Sequence, residues 1–201
     1  MDQMLIAFKK LQSELIKGCE YKECFYRNCS SKVINAHSIQ NNKILNKISD
    51  DGEVLGVKLE IGETGFPEPT LKRIGRKNAS TFLGFCNSHD TEIFKPIELN
   101  DYNKNNVEQE FLFAYRALAK EYYTKKTVAN LYEKMLTLKK DELIELREYC
   151  GLPIDVGLDG YREHLELIFK GTNESIEKLD AVKIPMNINL ENNKFYKIKT
   201  K

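Results

Sequence analysis

The sequence predicts an α+β fold, with helical segments on both sides of a strand-bearing middle part. The first stretch repeats apolar residues at helical spacing, and this spacing returns from about residue 105. Between them, residues 19–100 are rich in cysteines, glycines and short β-like runs. We therefore expect an N-terminal helix over residues 1–18, a module over residues 19–104 and a helical region over residues 105–201.

The N-terminal helix is predicted over residues 3–17. Its apolar side chains recur every three or four positions, and Gly18 is expected to end it. The apolar positions are Met4, Leu5, Phe8, Leu11, Leu15 and Ile16.

Three β-like runs predict strands that include a hairpin in the middle part. They are "KVINAHSI" (32–39), "EVLGVKLEI" (53–61), which follows the turn signal "DDG", and "STFLGFC" (80–86). Segment 62–77 contains three glycines and two prolines, so we expect an exposed loop between strands.

Helices are predicted over residues 107–123, 128–151, 160–171 and 173–184. Phe111, Tyr115 and Tyr122 share one helical stripe, which favours a role in the core over stacking on bases. The final run, residues 193–201, alternates like a strand. It fits either the start of a further β segment in a longer chain or a loosely ordered tail.

Composition indicates a globular chain that lacks a membrane segment. Of 201 residues, 41% are hydrophobic and 30% are charged, and no apolar run is long enough to span a bilayer. The first helix lacks the features of a signal peptide, so we expect a cytoplasmic protein whose five cysteines are metal ligands or free thiols. Because the net charge is only +1, any contact with nucleic acid has to be local.

Two short ligand pairs predict a structural zinc site. Cys24 and Cys29 enclose four residues, and Cys86 and His89 enclose two. Pairs of this spacing, set far apart in the chain, provide the four ligands of tetrahedral Zn²⁺. The alternative is four unrelated side chains, with the cysteines acting as small hydrophobic residues.

Two other cysteines bear on this prediction. Cys19 lies five residues before Cys24 and is an alternative ligand, although Cys24 and Cys29 directly flank one tight turn. Cys150 ends a predicted helix, and we expect a packed thiol there.

These motifs together resemble HNH, or His-Me finger, nucleases built on a treble-clef zinc scaffold. The resemblance covers residues 24–98. It rests on the Cys24–Cys29 turn (the first knuckle), on "NAHSIQ" and on "FCNSHDTEIF", which contains the Cys86–His89 turn (the second knuckle). This combined pattern looks closer to one bacterial branch than to generic members of the family. It implies that His37 is the general base that activates water against a phosphodiester. It also implies that Asp90 binds a catalytic Mg²⁺ or Mn²⁺ ion.

The chain departs from the family pattern at three positions. Ala36 stands where an acidic residue often precedes the base, and Ser80 and Thr81 stand where the middle asparagine is expected, with Asn78 slightly early. His89 ends the second knuckle and cannot easily serve both metals. A non-catalytic reading of His37 as a structural residue, hydrogen-bonded through one ring N–H, therefore stays open.

A basic segment is the candidate for nucleic-acid contact. Lys72, Arg73, Arg76 and Lys77 surround Gly75 and are expected to grip phosphates of DNA or RNA, or to be merely solvated. The predicted function is a metal-dependent HNH-type nuclease. The alternative is a non-catalytic zinc module that binds nucleic acid or a protein, with the helical region recruiting a partner or forming a dimer.

Overall fold

The computed structural model describes residues 10, 13–61, 67–149 and 157–197. It confirms a mixed α and β chain with a C-terminal helical region. The strands are β1 (Val33–His37), β2 (Glu53–Ile61), β3 (Pro67–Gly75) and β4 (Thr81–Cys86). The helices are α1 (Asn46–Ile48), α2 (Asn87–Ile93), α3 (Lys95–Glu98), α4 (Val107–Leu136), α5 (Lys140–Tyr149) and α6 (Leu158–Glu191), and a π-helical turn (Asn41–Leu45) precedes α1.

The chain divides into two compact units. The first comprises residues 1–20, 57–72 and 125–175, and the second comprises residues 21–56, 73–124 and 176–201. The division predicted at residues 18 and 104 stays a prediction.

The predicted N-terminal helix lies mostly outside the described residues, which leave out 1–9, 11 and 12. Residues 13–16 are helical, and Gly18 adopts the left-handed conformation at φ +83°, as expected for a helix end. The Lys134 ammonium donates to the carbonyls of Glu14 (2.7 Å), Leu15 (2.9 Å) and Lys17 (3.1 Å), so it caps this turn.

The core of the first unit is aliphatic. Buried residues of helices α5 and α6 pack against Leu15 of the N-terminal helical turn. This cluster consists of Leu15, Leu143, Leu146, Tyr161 and Leu165.

The second unit is organised around the antiparallel pair β1–β4. Val33 pairs with Cys86 and Ile34 with Phe85, whereas Ala36 pairs with Phe82, so β4 has one extra residue in the ladder. Such a bulge bends the strand and changes the direction of the side chains beyond it. His37 lies on that side of the irregularity, at the end of β1 opposite Thr81.

Strand β3 corrects the expectation of a loop over residues 62–77. Residues 67–75 pair with β2 in a two-stranded sheet, and residues 62–66 lie outside the described part of the chain. The glycines and prolines of this segment favour a loop by composition. Each strand of a two-stranded sheet is an edge strand, however, and edge strands tolerate proline because one side of the backbone makes no ladder hydrogen bonds.

Aromatic side chains fill the core of the second unit. Phe25 contacts Phe85 and Tyr115 edge to face, with ring centroids 6.0 and 5.1 Å apart. Tyr115 and Phe111 are fully buried and Tyr122 is 4% exposed, so the helical stripe belongs to the core as predicted. The Tyr115 hydroxyl donates to Asn187 Oδ1 at 3.0 Å, and the same oxygen accepts the backbone N–H of Arg27.

The C-terminal helices are longer than their sequence patterns indicate. Helix α4 runs without a break through residues 124–127, and α6 continues through Gly171 and Pro185 as one helix. Residues 194–197 follow α6 without regular secondary structure, and residues 198–201 lie outside the described residues. None of the described helices combines the length and apolarity that crossing a bilayer requires.

Candidate metal centre and polar cleft

Four side chains of the second unit converge on one point. Cys24, Cys29, Cys86 and His89 each direct a ligand atom there, and these atoms all lie within 4.8 Å of one another. They are the four residues that the sequence predicts as metal ligands. Two come from the turn before β1, and two from the junction between β4 and α2.

The separations fit a tetrahedral metal site. The Sγ atoms of Cys29 and Cys86 are 3.8 Å apart, and His89 Nδ1 lies 3.4 Å from Cys24 Sγ and 3.3 Å from Cys86 Sγ. Metal bonds of about 2.3 Å to sulfur and about 2.0 Å to nitrogen place tetrahedral ligands roughly 3.8 Å apart for two sulfurs and about 3.5 Å apart for sulfur and nitrogen. The cluster can therefore hold a metal ion.

Backbone contacts hold the two halves of this cluster together. The Phe25 N–H donates to the Gly84 carbonyl at 2.7 Å and ties the first knuckle to β4. The Cys86 N–H points at Cys24 Sγ from 3.4 Å, which favours a thiolate there. The Tyr26 ring lies over the His89 imidazole with centroids 4.0 Å apart and restricts its orientation.

Burial shapes the protonation of this cluster in the absence of a cation. It raises the pKa of the Cys24 thiol to about 12 and lowers the pKa of His89. Both shifts favour neutral ligands, so the positive charge of a bound ion is needed to hold Cys24 as a thiolate.

Cys19 is not a member of this cluster. Its thiol is buried and donates to the Leu15 carbonyl at 3.0 Å. Cys150 lies outside the described residues.

Helix α2 directs two consecutive polar side chains, His89 and Asp90, to different places. Consecutive residues of a helix project about 100° apart, because one turn takes 3.6 residues. His89 therefore faces the sulfur atoms, whereas the neighbouring Asp90 faces a separate cleft.

This cleft is small and polar. Its volume is about 200 Å³, and it is lined by His37, Asn41, Asn42, Asp90, Glu98 and Arg116. Four buried polar atoms of these lining residues make no hydrogen bond within the described part of the protein: His37 Nε2, Asn41 Oδ1, Asp90 Oδ1 and Arg116 Nε. Buried polar groups are nearly always partnered, so this concentration points to a ligand.

The backbone after β1 positions His37 and Asn41. Ser38 donates to the Ser80 carbonyl through both its N–H and its hydroxyl, each at 2.9 Å. Gln40 is buried, donates to the Ile97 carbonyl and accepts the N–H of Leu45 at 2.9 Å. These bonds anchor the segment that contains His37 and Asn41 at both ends.

Arg116 and Glu98 form an ion pair in the cleft. Arg116 Nη1 donates to Glu98 Oε1 at 2.5 Å, and the guanidinium lies 4.0 Å from the centroid of the Phe94 ring. Burial raises the pKa of the Asp90 carboxyl, and the charge of Arg116 opposes that shift.

The sequence interpretation missed Asn41 and Arg116. Asn41 occupies the cleft, whereas Asn78, Ser80 and Thr81, the positions considered for the family asparagine, do not line it. A signal for Arg116 was present in the sequence, because it interrupts the otherwise apolar run of residues 111–119. No acidic residue lies within four positions of Arg116, and a buried arginine is uncommon unless a carboxylate pairs with it.

The predicted basic segment contains both paired and exposed side chains. Arg73 forms ion pairs with Asp50 (2.7 Å) and Glu53 (2.9 Å), and Asp50 raises its pKa by hydrogen bonding. Arg76 donates to Asn46 Oδ1, and Lys72 and Lys77 are exposed.

No protein-family model, curated protein or solved structure matches this chain.

Proposed function

We propose that this protein is a divalent-cation-dependent nuclease of HNH type, stapled by a structural zinc in a treble-clef arrangement. The observation that carries the proposal is the cleft between β1, α2 and α4. There a histidine nitrogen, two side-chain oxygens and an arginine nitrogen are buried without partners among the described residues.

The unpartnered atoms match a cation and a phosphate by charge and by donor type. Asn41 Oδ1 and Asp90 Oδ1 are oxygens, which Mg²⁺ and Mn²⁺ prefer, and Arg116 Nε is a donor that suits an anionic oxygen. The volume of about 200 Å³ accommodates an ion with a phosphate group and is too small for most organic ligands.

Zinc is the proposed occupant of the cysteine and histidine cluster. Three thiolates and one imidazole form a ligand set that zinc fingers use, and the separations fit tetrahedral bonds. Four protein ligands leave no open position, so this ion supports the fold rather than the chemistry.

In the proposed mechanism, His37 accepts a proton from water through its unpartnered Nε2 as the water attacks phosphorus. Asp90 and Asn41 would hold the ion in the cleft, and the hydrogen bonds from Ser38 to the Ser80 carbonyl fix the backbone next to His37. When bound, the divalent cation polarises the phosphate and stabilises the leaving oxygen.

Removing the Asp90 carboxylate is expected to abolish cation-dependent cleavage. Asp90→Asn should lower the cleavage rate of plasmid or single-stranded nucleic acid in Mg²⁺ or Mn²⁺ at least 100-fold, because cation stabilisation of the transition state is worth several kcal/mol. Asp159→Asn, which makes the same change on an exposed carboxylate of α6, should cleave at the wild-type rate. Equal rates for the two variants would remove Asp90 from the proposed site.

Arg76 and Lys77 of the basic segment are proposed to contact nucleic-acid phosphates. Replacing Arg76 and Lys77 with glutamine should weaken binding and reduce the slope of log affinity against log salt by about two, one for each lost contact. The matched control replaces Lys140 and Lys170, both exposed and outside the segment. A salt slope unchanged from wild type would show that the segment does not touch phosphates.

The alternative is a non-catalytic zinc module, and Ala36 favours it. This residue is 2% exposed and occupies the position where the HNH resemblance expects a metal-binding acid. A non-catalytic module would bind nucleic acid or a protein with its zinc, but would show no cleavage that depends on Asp90.

A further inference from the structure

Arg116 contributes to the cleft from outside the region that resembles HNH nucleases. It lies on α4 and its side chain is 4% exposed, yet its Nε has no hydrogen-bond partner among the residues described. Glu98 and the face of Phe94 hold the guanidinium in place. A side chain held so firmly has lost its conformational entropy before a ligand arrives.

The ion pair leaves one edge of the guanidinium available. Glu98 accepts from Nη1, whereas Nε–H and Nη2 point together along another edge of the planar group. Two parallel donors at this spacing match two oxygens of a phosphate, as in bidentate arginine–phosphate pairs. Arg116 lines the same cleft as His37 and Asp90.

The charges in the cleft set an order of binding. Glu98 offsets the charge of Arg116, and the unpartnered oxygens of Asp90 and Asn41 repel the oxygens of an anion, so the cleft by itself is unfavourable for an anion. A divalent cation beside those oxygens would make the cleft positive and therefore favourable for a singly charged phosphodiester.

We propose that Arg116 binds the non-bridging oxygens of the phosphodiester through its Nε edge, and that it does so after a divalent cation has entered the cleft. The inference rests on the proposed function and names a substrate-binding residue for it. Glu98 acts through Arg116 as a positioning residue, because it fixes which edge faces the cleft.

Dimethyl phosphate is a suitable probe, because it is a phosphodiester with one negative charge. The side-chain Nε–H signal of Arg116 in ¹⁵N-labelled wild-type protein is assigned by its loss in Arg116→Lys. This signal should shift on titration with dimethyl phosphate when Mg²⁺ is present and stay unchanged without it. The signal of the exposed Arg27, which pairs with Glu191, is the internal control.

The Arg116→Lys variant tests the two parallel N–H donors of the guanidinium separately from its positive charge. Lysine keeps one positive charge but lacks the two parallel donors, so the affinity for dimethyl phosphate in Mg²⁺ should fall about 10- to 100-fold. Retained zinc and an unchanged circular dichroism spectrum would establish that the variant folds. If it does not fold, the wild-type Nε–H signal is assigned instead from its nuclear Overhauser contacts with the Phe94 ring, and that signal decides.

An unmoved Arg116 signal in Mg²⁺ and dimethyl phosphate would overturn the inference, as would equal affinity in Arg116→Lys. A shift of the same size without Mg²⁺ would overturn the order of binding. Cleavage that requires His37 but lacks any Arg116 response leaves the proposed nuclease standing and removes this residue from it. An Arg116 response in a protein that cleaves no nucleic acid would leave Arg116 standing as a phosphate-binding residue and would remove the proposed nuclease.

Discussion

Replacing Cys86 with serine is expected to release the proposed zinc and to destabilise the second unit of the protein. The Cys86 side chain is buried, and its Sγ lies 3.8 Å from Cys29 Sγ and 3.3 Å from His89 Nδ1. A serine hydroxyl stays protonated at neutral pH and is a poor ligand for Zn²⁺. Because even outer partners of a metal site change affinity 10- to 100-fold, the loss of a direct ligand should lower zinc affinity on the order of 100-fold or more.

The effect on folding should be large for an energetic reason. A structural zinc contributes roughly 10–16 kcal/mol of apparent binding free energy, and whole domains are stable by only about 5–15 kcal/mol. The cluster also joins the turn between Cys24 and Cys29 to the β4–α2 junction. Without a bound ion, burial leaves Cys24 as a neutral thiol. We therefore expect loss of most of the cooperative melting transition of this unit.

Cys19→Ser is the matched control for this experiment. Cys19 and Cys86 are equally buried, each 3% exposed, but the Cys19 thiol donates to the Leu15 carbonyl and is outside the cluster. Elemental analysis should find one zinc per chain in the wild type and in Cys19→Ser, and almost none in Cys86→Ser. Full zinc content in Cys86→Ser, or equal loss in both variants, would contradict the assignment.

The convergence of the four cluster residues follows from local chemistry, which explains why sequence alone could indicate it. Cysteine and histidine at short spacings form turns that direct two ligands to one side, and a metal joins two such pairs wherever the chain places them. The spacing itself left Cys19 open as a replacement for Cys24 or Cys29. Only the packed structure, in which Cys19 bonds to Leu15, separates these choices.

Secondary structure was harder to predict where tertiary contacts oppose local preference. Glycine and proline favour a loop over segment 62–77, but residues 67–75 pair with β2, and Ile74 packs against Leu45, Val54 and Ala79. Likewise, Gly171 and Pro185 weaken a helix by roughly 1 and 3 kcal/mol, and α6 nevertheless passes through both. Burial of Ile176 and Met186 on that helix favours its continuity.

The cleft depends on long-range packing and was therefore only half visible in the sequence. His37 and Asp90 were found by their likeness to nuclease motifs, whereas Asn41 and Arg116 come from a π-helical turn and a distant helix. Arg116 and His37 lie far apart in the sequence, and no pattern there indicates that both line one cleft. Unpartnered atoms such as Arg116 Nε become visible only when every neighbour has been placed.

Replacing His37 with alanine is expected to reduce cation-dependent cleavage by about 100- to 10,000-fold, the usual contribution of a general base. His37 Nε2 is buried in the cleft without a partner in the described structure, so the variant loses a proton acceptor and breaks no hydrogen bond made by that atom. The fold should persist, because the cysteine and histidine cluster and the Ser38–Ser80 contacts do not involve the imidazole of His37. Initial cleavage rates in Mg²⁺ or Mn²⁺, beside zinc content, measure both outcomes.

The control for this variant is His164→Ala, which removes an exposed histidine from α6 and should leave cleavage unchanged. Externally added imidazole should restore part of the activity of His37→Ala, because the alanine leaves space in a cleft of about 200 Å³ where a free base can bind. A structural histidine predicts a different pattern, in which the alanine variant melts at a lower temperature and imidazole restores nothing. Equal cleavage by the wild type and by His37→Ala would exclude His37 as the base, and the cleft would then serve as a binding site for the cation and the phosphate.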